Sequence, residues 1–418
     1  MKKSIVILIL GSLFVCESAF GTMKSFSWSK NPELEVLGYN LYVGSSSRNY
    51  GQPIDVGNIT TWTLDLSDSE PSFLAITAYN SEKESEYSAE IIIVPEGFDN
   101  VIKTFHADLN NDGWQDTLYL RPAGLFGRMA SGSDGFIGEE FLITGAFSSS
   151  NGWDISKHII LVKDLNKDGF PDIIGFGSSG VIAAHSIDGR TFESAKYLLK
   201  AFGYNDGWRV DAHPRGFEDI NKDGYPDIYG FGSSGVIAAH SIDGRTFESA
   251  RYLIKAFGYD AGWRVGAHPR GFEDINNDGY PDIYGFGSSG VIAAHSIDGR
   301  TFESARYLIK AFGYDAGWRV GAHPRGFEDI NNDGYPDIYG FGSSGVIVAY
   351  SIDGRSFENA GYIVRFFGYD GGWVIDESRN FVTIDDDGLP EVIGWKTSGE
   401  VMVSYSVNPY YFTDPVSW

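Results

Sequence analysis

The sequence predicts an all-β chain, a small sandwich over residues 24–96 followed by a β-propeller of about 55-residue, four-stranded blades over residues 98–418. Three observations carry this. Short alternating runs rich in β-branched and aromatic residues, punctuated by Asn, Gly, Ser and Pro, fill the first hundred residues. The pattern D-x-N-x-D-G-x-x-D then begins at Asp108, Asp164, Asp219, Asp274 and Asp329, with three successive steps of 55 residues and a degraded copy from Thr383 to Glu391. Each period holds four strand-like runs, and repeats of this size point to solenoids, propellers or arrays.

The chain of 418 residues is long enough for two or more domains. A net charge of −24 excludes nucleic acid as a partner, because phosphate binding needs a basic face. The first 21 residues read as a signal peptide. Lys2 and Lys3 precede the apolar run Ile5 to Val15, and Ala19-Phe20-Gly21 supplies the small residues around a cleavage site placed after Gly21. The expected location is extracellular or cell-surface, with the periplasm as the alternative. Cys16, the only cysteine, lies in this segment, and Val15 before it is a poor fit to a lipidation site. The mature chain then has no disulfide and no thiol nucleophile. No other run of 18 apolar residues occurs, so no membrane span is expected.

In the sandwich, the strand candidates are Phe26 to Trp28, Gly38 to Val43, Thr61 to Leu66, Phe73 to Asn80 and Ala89 to Val94. Trp28 and Tyr39 are read as core aromatics, because buried rings dominate sandwich interiors. The words GYNLYVG at 38–44, IDVGNITTWTL at 54–64 and ITAYNSEKESEYS at 76–88 resemble a bacterial fibronectin type III domain. That resemblance implies a spacer or binding adaptor.

Within one repeat the strands are expected at Arg325 to Glu328, Asp337 to Phe341, Val346 to Tyr350 and Gly361 to Phe366. The counterpart of the last, Glu303 to Phe312, has helical character, but Ile363 and Val364 favour strand. Units beginning near 98, 153, 208, 263, 318 and 373 predict six blades, with seven as the alternative. The units at 218–272 and 273–327 differ only at Lys222 against Asn277.

The acidic loops concentrate oxygen ligands suited to Ca²⁺, which takes six to eight at flexible geometry. The expected side-chain ligands are Asp108, Asn110, Asp112 and Asp116; Asp164, Asn166, Asp168 and Asp172; Asp219, Asn221, Asp223 and Asp227; Asp274, Asn276, Asp278 and Asp282; and Asp329, Asn331, Asp333 and Asp337. The sixth copy keeps Asp385, Asp387 and Glu391. The expectation is five calcium sites and a degenerate sixth; a row of Asx-turns without metal is the alternative. An EF-hand is excluded by Gly340 at the twelfth position and by the flanking strands. With extracellular affinities of ~10⁻⁴ to 10⁻³ M, five sites add on the order of 2–7 kcal/mol in millimolar calcium. That matches a domain's whole stability, so the ion's expected role is structural.

D-x-N-x-D-G followed by PDI and GFG resembles the FG-GAP/VCBS repeat family of integrin α-chain propellers and secreted bacterial proteins. The wording around Gly-Trp-Arg-Val-x-Ala-His-Pro-Arg is similar to bacterial and fungal propeller lectins, which implies sugar pockets between neighbouring blades. Trp208, Trp263, Trp318 and Trp373 read equally as sugar platforms or as packing between blades. Arg215, Arg270 and Arg325 either read a sugar or, as favoured, pair with an Asp of the next blade. His185, His240 and His295 are expected to face the barrel or to be satisfied in place.

No G-x-S-x-G, P-loop or dinucleotide motif occurs, and near-identical units suit several equal weak sites better than one asymmetric catalytic centre. Asp376 and Glu377 are the one single-copy acid pair considered for glycosidase chemistry. The expected function is therefore non-catalytic: a secreted, calcium-stabilised lectin binding glycans multivalently, with adhesion to a surface protein as the alternative.

Overall fold

A computed structural model describes residues 17–18, 21–31, 36–44, 50–66, 72–88, 90–93, 101–130, 136–374, 378–385, 387–408 and 410–417. The expected leader, apart from Glu17, Ser18 and Gly21, and the pair Asp376 and Glu377 lie outside them. The chain divides into two compact units, Met1–Tyr197 and Leu198–Trp418. Among the described residues no helix is long and apolar enough to cross a membrane.

In the first unit, Gly21–Ser27 pairs antiparallel with Thr61–Leu66, from Thr22 opposite Leu66 to Ser27 opposite Thr61. A second sheet runs in the order Ile54–Gly57, Gly38–Gly44, Ser72–Tyr79, Ile91–Ile93. The alternation of Thr61–Leu66 sets Leu66 into the core and leaves Thr61, Thr63 and Asp65 exposed. Phe26, Trp28, Tyr39, Leu41, Leu74 and Ile76 form that core. Trp28 and Tyr39 meet edge to face at 5.7 Å, and the Tyr39 hydroxyl accepts from the Asn31 N–H at 2.8 Å, so both rings serve packing.

Six four-stranded antiparallel sheets follow among the described residues, the first five simple meanders and the sixth interrupted by the hairpin of Ser406–Asn408 and Tyr411–Phe412 before its last strand. The first unit holds Lys103–Ala107, Asp116–Arg121, Gly124–Ala130 and Phe136–Thr144, then Ile159–Lys163, Asp172–Phe176 and Val181–Ala184. The fourth strand of the latter sheet, Lys196–Leu199, spans the division. In the second unit the sheet of Arg325–Glu328, Asp337–Phe341, Val346–Ala349 and Gly361–Val364 is representative. These boundaries lie within two residues of expectation. Arg306–Ile309 is a strand, which resolves the helical ambiguity of Glu303 to Phe312. The sixth sheet is completed by Val416–Ser417 beside Val401–Ser404.

Burial follows position in the sheet. The second strand, Asp337–Phe341, is covered on both sides, whereas Arg306–Ile309 exposes Arg306 and Tyr307. After each fourth strand the sequence reading missed a short 3₁₀ turn, as at Tyr259–Ala261 and Tyr314–Ala316. The four such turns beginning at Tyr204, Tyr259, Tyr314 and Tyr369 are each preceded by a buried phenylalanine with positive φ, as with Phe257 at 59° and Phe312 at 59°. A bulky residue in the left-handed region is strained, and here its ring is held by a tryptophan.

Candidate functional site

The acidic loops share one geometry. In 329–337, the Asp329 carboxylate accepts from Gly334 N–H at 2.8 Å and Asp333 N–H at 3.0 Å, and Asp333 accepts from Tyr335 N–H at 2.9 Å. Gly334 adopts φ of 92°, which lets the chain fold back on these oxygens. The Asn331 amide donates to Asp333 at 2.8 Å. Asp337 is fully buried and bridges two strands, accepting from Ile330 N–H at 3.1 Å and Ser351 N–H at 2.7 Å. Asp116 and Asp172 do the same for Leu109 and Ala130, and for Leu165 and Ser186.

The loops beginning at Asp108, Asp164, Asp219 and Asp274 repeat the bond from the sixth-position glycine to the first aspartate at 2.7–3.0 Å. In each, the third-position amide (Asn110, Asn166, Asn221, Asn276) donates to Asp112, Asp168, Asp223 or Asp278. In the sixth copy, oxygens of Asp385, Asp387 and Glu391 lie within 4.8 Å of one another.

The donor set fits a hard cation: it consists of oxygens only, and Asp219 Oδ1 is buried with no hydrogen-bond partner. Burial, then the neighbouring Asp223, raises the Asp219 carboxyl above its ordinary range. An uncompensated carboxylate oxygen of this kind is what a bound Ca²⁺ would satisfy.

The histidines that follow the third strands lie against the ninth-position aspartates. His240 and His295 hydrogen-bond them through Nδ1, while His185 Nδ1 and the Nε2 atoms of His240 and His295 are buried with no hydrogen-bond partner among the described residues. His185 Nδ1 lies 3.0 Å from Asp172, His240 Nδ1 2.8 Å from Asp227 and His295 Nδ1 2.7 Å from Asp282. Where Tyr350 replaces the histidine, burial pushes the Asp337 carboxyl up to about 7.

The repeated tryptophans are buried: Trp208, Trp263 and Trp318 are 8–9% exposed and Trp373 1%. Trp263 packs against Phe257 at 5.2 Å and His268 at 5.5 Å. It also covers Gly285, where an added Cβ would come within 2.4 Å of the indole. At this exposure the indoles are packed against neighbouring side chains.

The expected pairing of Arg270 and Arg325 with an aspartate does not occur among the described residues. Arg270 Nη1 donates to the Phe257 carbonyl at 2.7 Å, and Arg325 reaches the carbonyls of His323 and Ala267 at 3.4 Å. Arg215 donates to the Phe202 carbonyl at 2.7 Å. The strained phenylalanines at 202 and 257 thus turn their carbonyls inward, and the guanidinium satisfies them. Burial lowers Arg215, Arg270 and Arg325 to about 10.

What the junction does present to solvent is a tyrosine and a second arginine, neither singled out by sequence reading. Arg264 lies 3.7 Å over the Tyr259 ring and donates to the Tyr259 and Trp263 carbonyls. Arg319 over Tyr314 (3.8 Å) and Arg209 over Tyr204 (3.9 Å) repeat this. His213 also contacts Tyr259 edge-to-face at 5.8 Å, His268 contacts Tyr314 at 5.9 Å and His323 contacts Tyr369 at 5.9 Å. His268 Nε2 lies 3.2 Å from Ser288 Oγ, and the adjacent Ser289 reaches Asp315 at 3.4 Å. The junctions at Tyr259 and Tyr314 therefore each gather an aromatic ring, a half-used guanidinium, hydroxyls and a carboxylate, whereas Val374 stands in place of the arginine beside Tyr369 and Asn205 in place of the aspartate beside Tyr204. These groups suit a polyhydroxylated ligand with an apolar face. The available signal was the word Phe-Gly-Tyr-x-x-Gly-Trp-Arg, which occurs at 202–209, 257–264 and 312–319.

The FG-GAP-like repeat family matches residues 274–340, which span the fourth and fifth acidic loops. No curated protein sequence matches the chain. Among solved structures the chain is similar to an Agrocybe aegerita lectin described for specific recognition of non-reducing terminal N-acetylglucosamine. Identity is 27%, over 91% of this chain and 90% of that one, with a TM-score of 0.71. The Photorhabdus luminescens Tc holotoxin pore is matched at 12% identity, over 99% of this chain and 17% of that one, with a TM-score of 0.46.

Proposed function

We propose that this chain is a non-catalytic, carbohydrate-binding protein. In this reading its 98–418 region closes as a six-bladed β-propeller and takes terminal N-acetylglucosamine at its repeated junctions. The observation that carries it is the Tyr–Arg–His grouping, in which Arg319 and His268 both contact Tyr314, and Arg264 and His213 both contact Tyr259. Such a rigid ring beside free guanidinium donors binds a sugar face at little entropic cost. The likeness to a lectin over nearly all of both chains points the same way.

Equal weak sites at 55-residue spacing make avidity the source of affinity. Ca²⁺ in the acidic loops is a stabilising ion in this account and takes no part in ligand contact. The 24–96 sandwich is a fibronectin type III-like spacer, and the chain acts after export. The test is binding of the mature protein to immobilised N-acetylglucosamine-terminated glycans, compared with a variant carrying Arg264→Ala and Arg319→Ala. Binding lost without a change in melting temperature supports the reading, and absence of binding to any such glycan overturns it.

A further inference from the structure

The turn Ile-Asp-Gly-Arg-Thr-Phe-Glu occurs at 187–193, 242–248 and 297–303, and with Ser356 at 352–358. Its aspartate shapes it: Asp298 accepts from Arg300 N–H at 2.9 Å and Thr301 N–H at 2.7 Å, and Asp188 accepts from Arg190 and Thr191 at 3.0 and 2.6 Å. The arginine then reaches back to the preceding repeat. Arg300 grips Glu248 with two bonds of 2.9 Å, and Arg355 grips Glu303 with two of 3.0 Å.

Arg190 stands in the same turn, but the repeat before it has lost the matching glutamate. Its guanidinium lies 4.8 Å from the Phe141 ring and, apart from the field of Asp188 in its own turn, forms no ion pair among the described residues. It borders a cavity of about 660 Å³ whose walls include Glu90, Phe126, Glu140, Phe141 and Glu193. That volume lies in the range of small-ligand sites, ~300–1,000 Å³. The wall carboxylates are already engaged: Glu140 by Arg121 at 3.0 Å, Glu90 by the Tyr50 hydroxyl at 2.6 Å and Glu193 by Lys196 at 3.5 Å. The cavity thus offers one cation without a carboxylate partner from another repeat among the described residues, beside the phenyl rings of Phe126, Phe141 and Phe192.

We propose that it binds an acidic sugar. The ligand's carboxylate takes on Arg190 the two-pronged contact that Glu248 gives Arg300, and its pyranose ring rests on the phenylalanine wall. The chain's charge of −24 opposes an anion at long range, but that field is screened beyond about 8 Å at physiological salt, so contact chemistry decides. The choice of a sugar over other carboxylates rests on the carbohydrate reading above.

The test is calorimetric titration of the full chain and of Arg190→Gln with methyl glucuronide, methyl glucoside and acetate. Arg190 is exposed and has no ion pair to another repeat among the described residues, so the variant should keep the wild-type melting temperature to within the small cost of its Phe141 contact. The glucuronide should bind wild type and weaken by about tenfold or more in the variant, as expected for a lost charge-assisted contact, while the glucoside and acetate bind far more weakly. Arg190→Lys should recover only part, because the fork is lost. No binding of glucuronide, or binding unchanged in Arg190→Gln, overturns the site. Acetate binding as tightly as glucuronide overturns the sugar. N-acetylglucosamine titrated in parallel reports on the junctions alone and should not respond to Arg190→Gln, so its failure in wild type counts against the proposed function and leaves the glucuronide result standing.

Discussion

Arg300 and Arg190 sit in identical seven-residue turns, yet one closes a joint between repeats and the other borders a cavity. The turn is local, set by Asp298 or Asp188, and it folds the same way twice. The partner is not local: Glu248 belongs to the repeat before Arg300, and the repeat before Arg190 has diverged. Duplication copies a residue's conformation faithfully. It copies the residue's role only when the neighbour is copied too.

Four sets of substitutions test this contrast. The largest effect is expected inside the well-copied region. Trp263→Ala should cost about 3–5 kcal/mol, the price of removing a buried indole, read as a drop in the denaturation midpoint. A variant of unchanged stability would return Trp263 to the role of a surface platform.

A second effect is spread over three sites. Burial, reinforced by neighbouring arginines, holds His213, His268 and His323 below the ordinary 6.5. The unfolded chain therefore takes up protons first as pH falls, and stability should decline below pH 6.5 through the folded-state values. His213→Gln, His268→Gln and His323→Gln combined should flatten the melting curve's pH dependence in that window.

The loops come next. Asp219→Ala should cost about 0.5–1.5 kcal/mol in millimolar calcium. In chelator the difference should shrink or reverse, since the substitution also removes an unpaired buried oxygen. Equal effects in both buffers would favour metal-free Asx-turns.

The smallest effect isolates the comparison itself. Arg300→Gln removes a largely exposed ion pair and should cost between zero and about 1 kcal/mol. Arg190→Gln should cost little in a thermal melt, no more than its Phe141 contact. Comparable losses in both would mean that Arg190 is also a joint.

What was legible in the sequence follows the same division. The acidic loops, the strand boundaries of 325–364 and the buried aspartate–histidine strands arise within one repeat, where spacing and alternation speak directly. The histidines sit one residue past the third strands, and their neighbours, the ninth-position aspartates, read in the sequence only as metal ligands. The fate of Trp263 was not legible, because its burial depends on Gly285 and on the strained Phe257 beneath it. Tyr259 and Arg264 were overlooked for a related reason: a 3₁₀ turn of three residues leaves almost no periodic trace, yet it sets the tyrosine ring under the guanidinium.

The most direct measurement is equilibrium binding of N-acetylglucosamine-terminated glycans to the mature protein and to its Arg264→Ala, Arg319→Ala double variant, with melting temperatures taken alongside. The account predicts binding by the wild type and a loss of about a hundredfold or more in multivalent format for the double variant, at nearly constant stability. Wild-type protein that ignores these glycans, or a double variant that binds them undiminished, would contradict it.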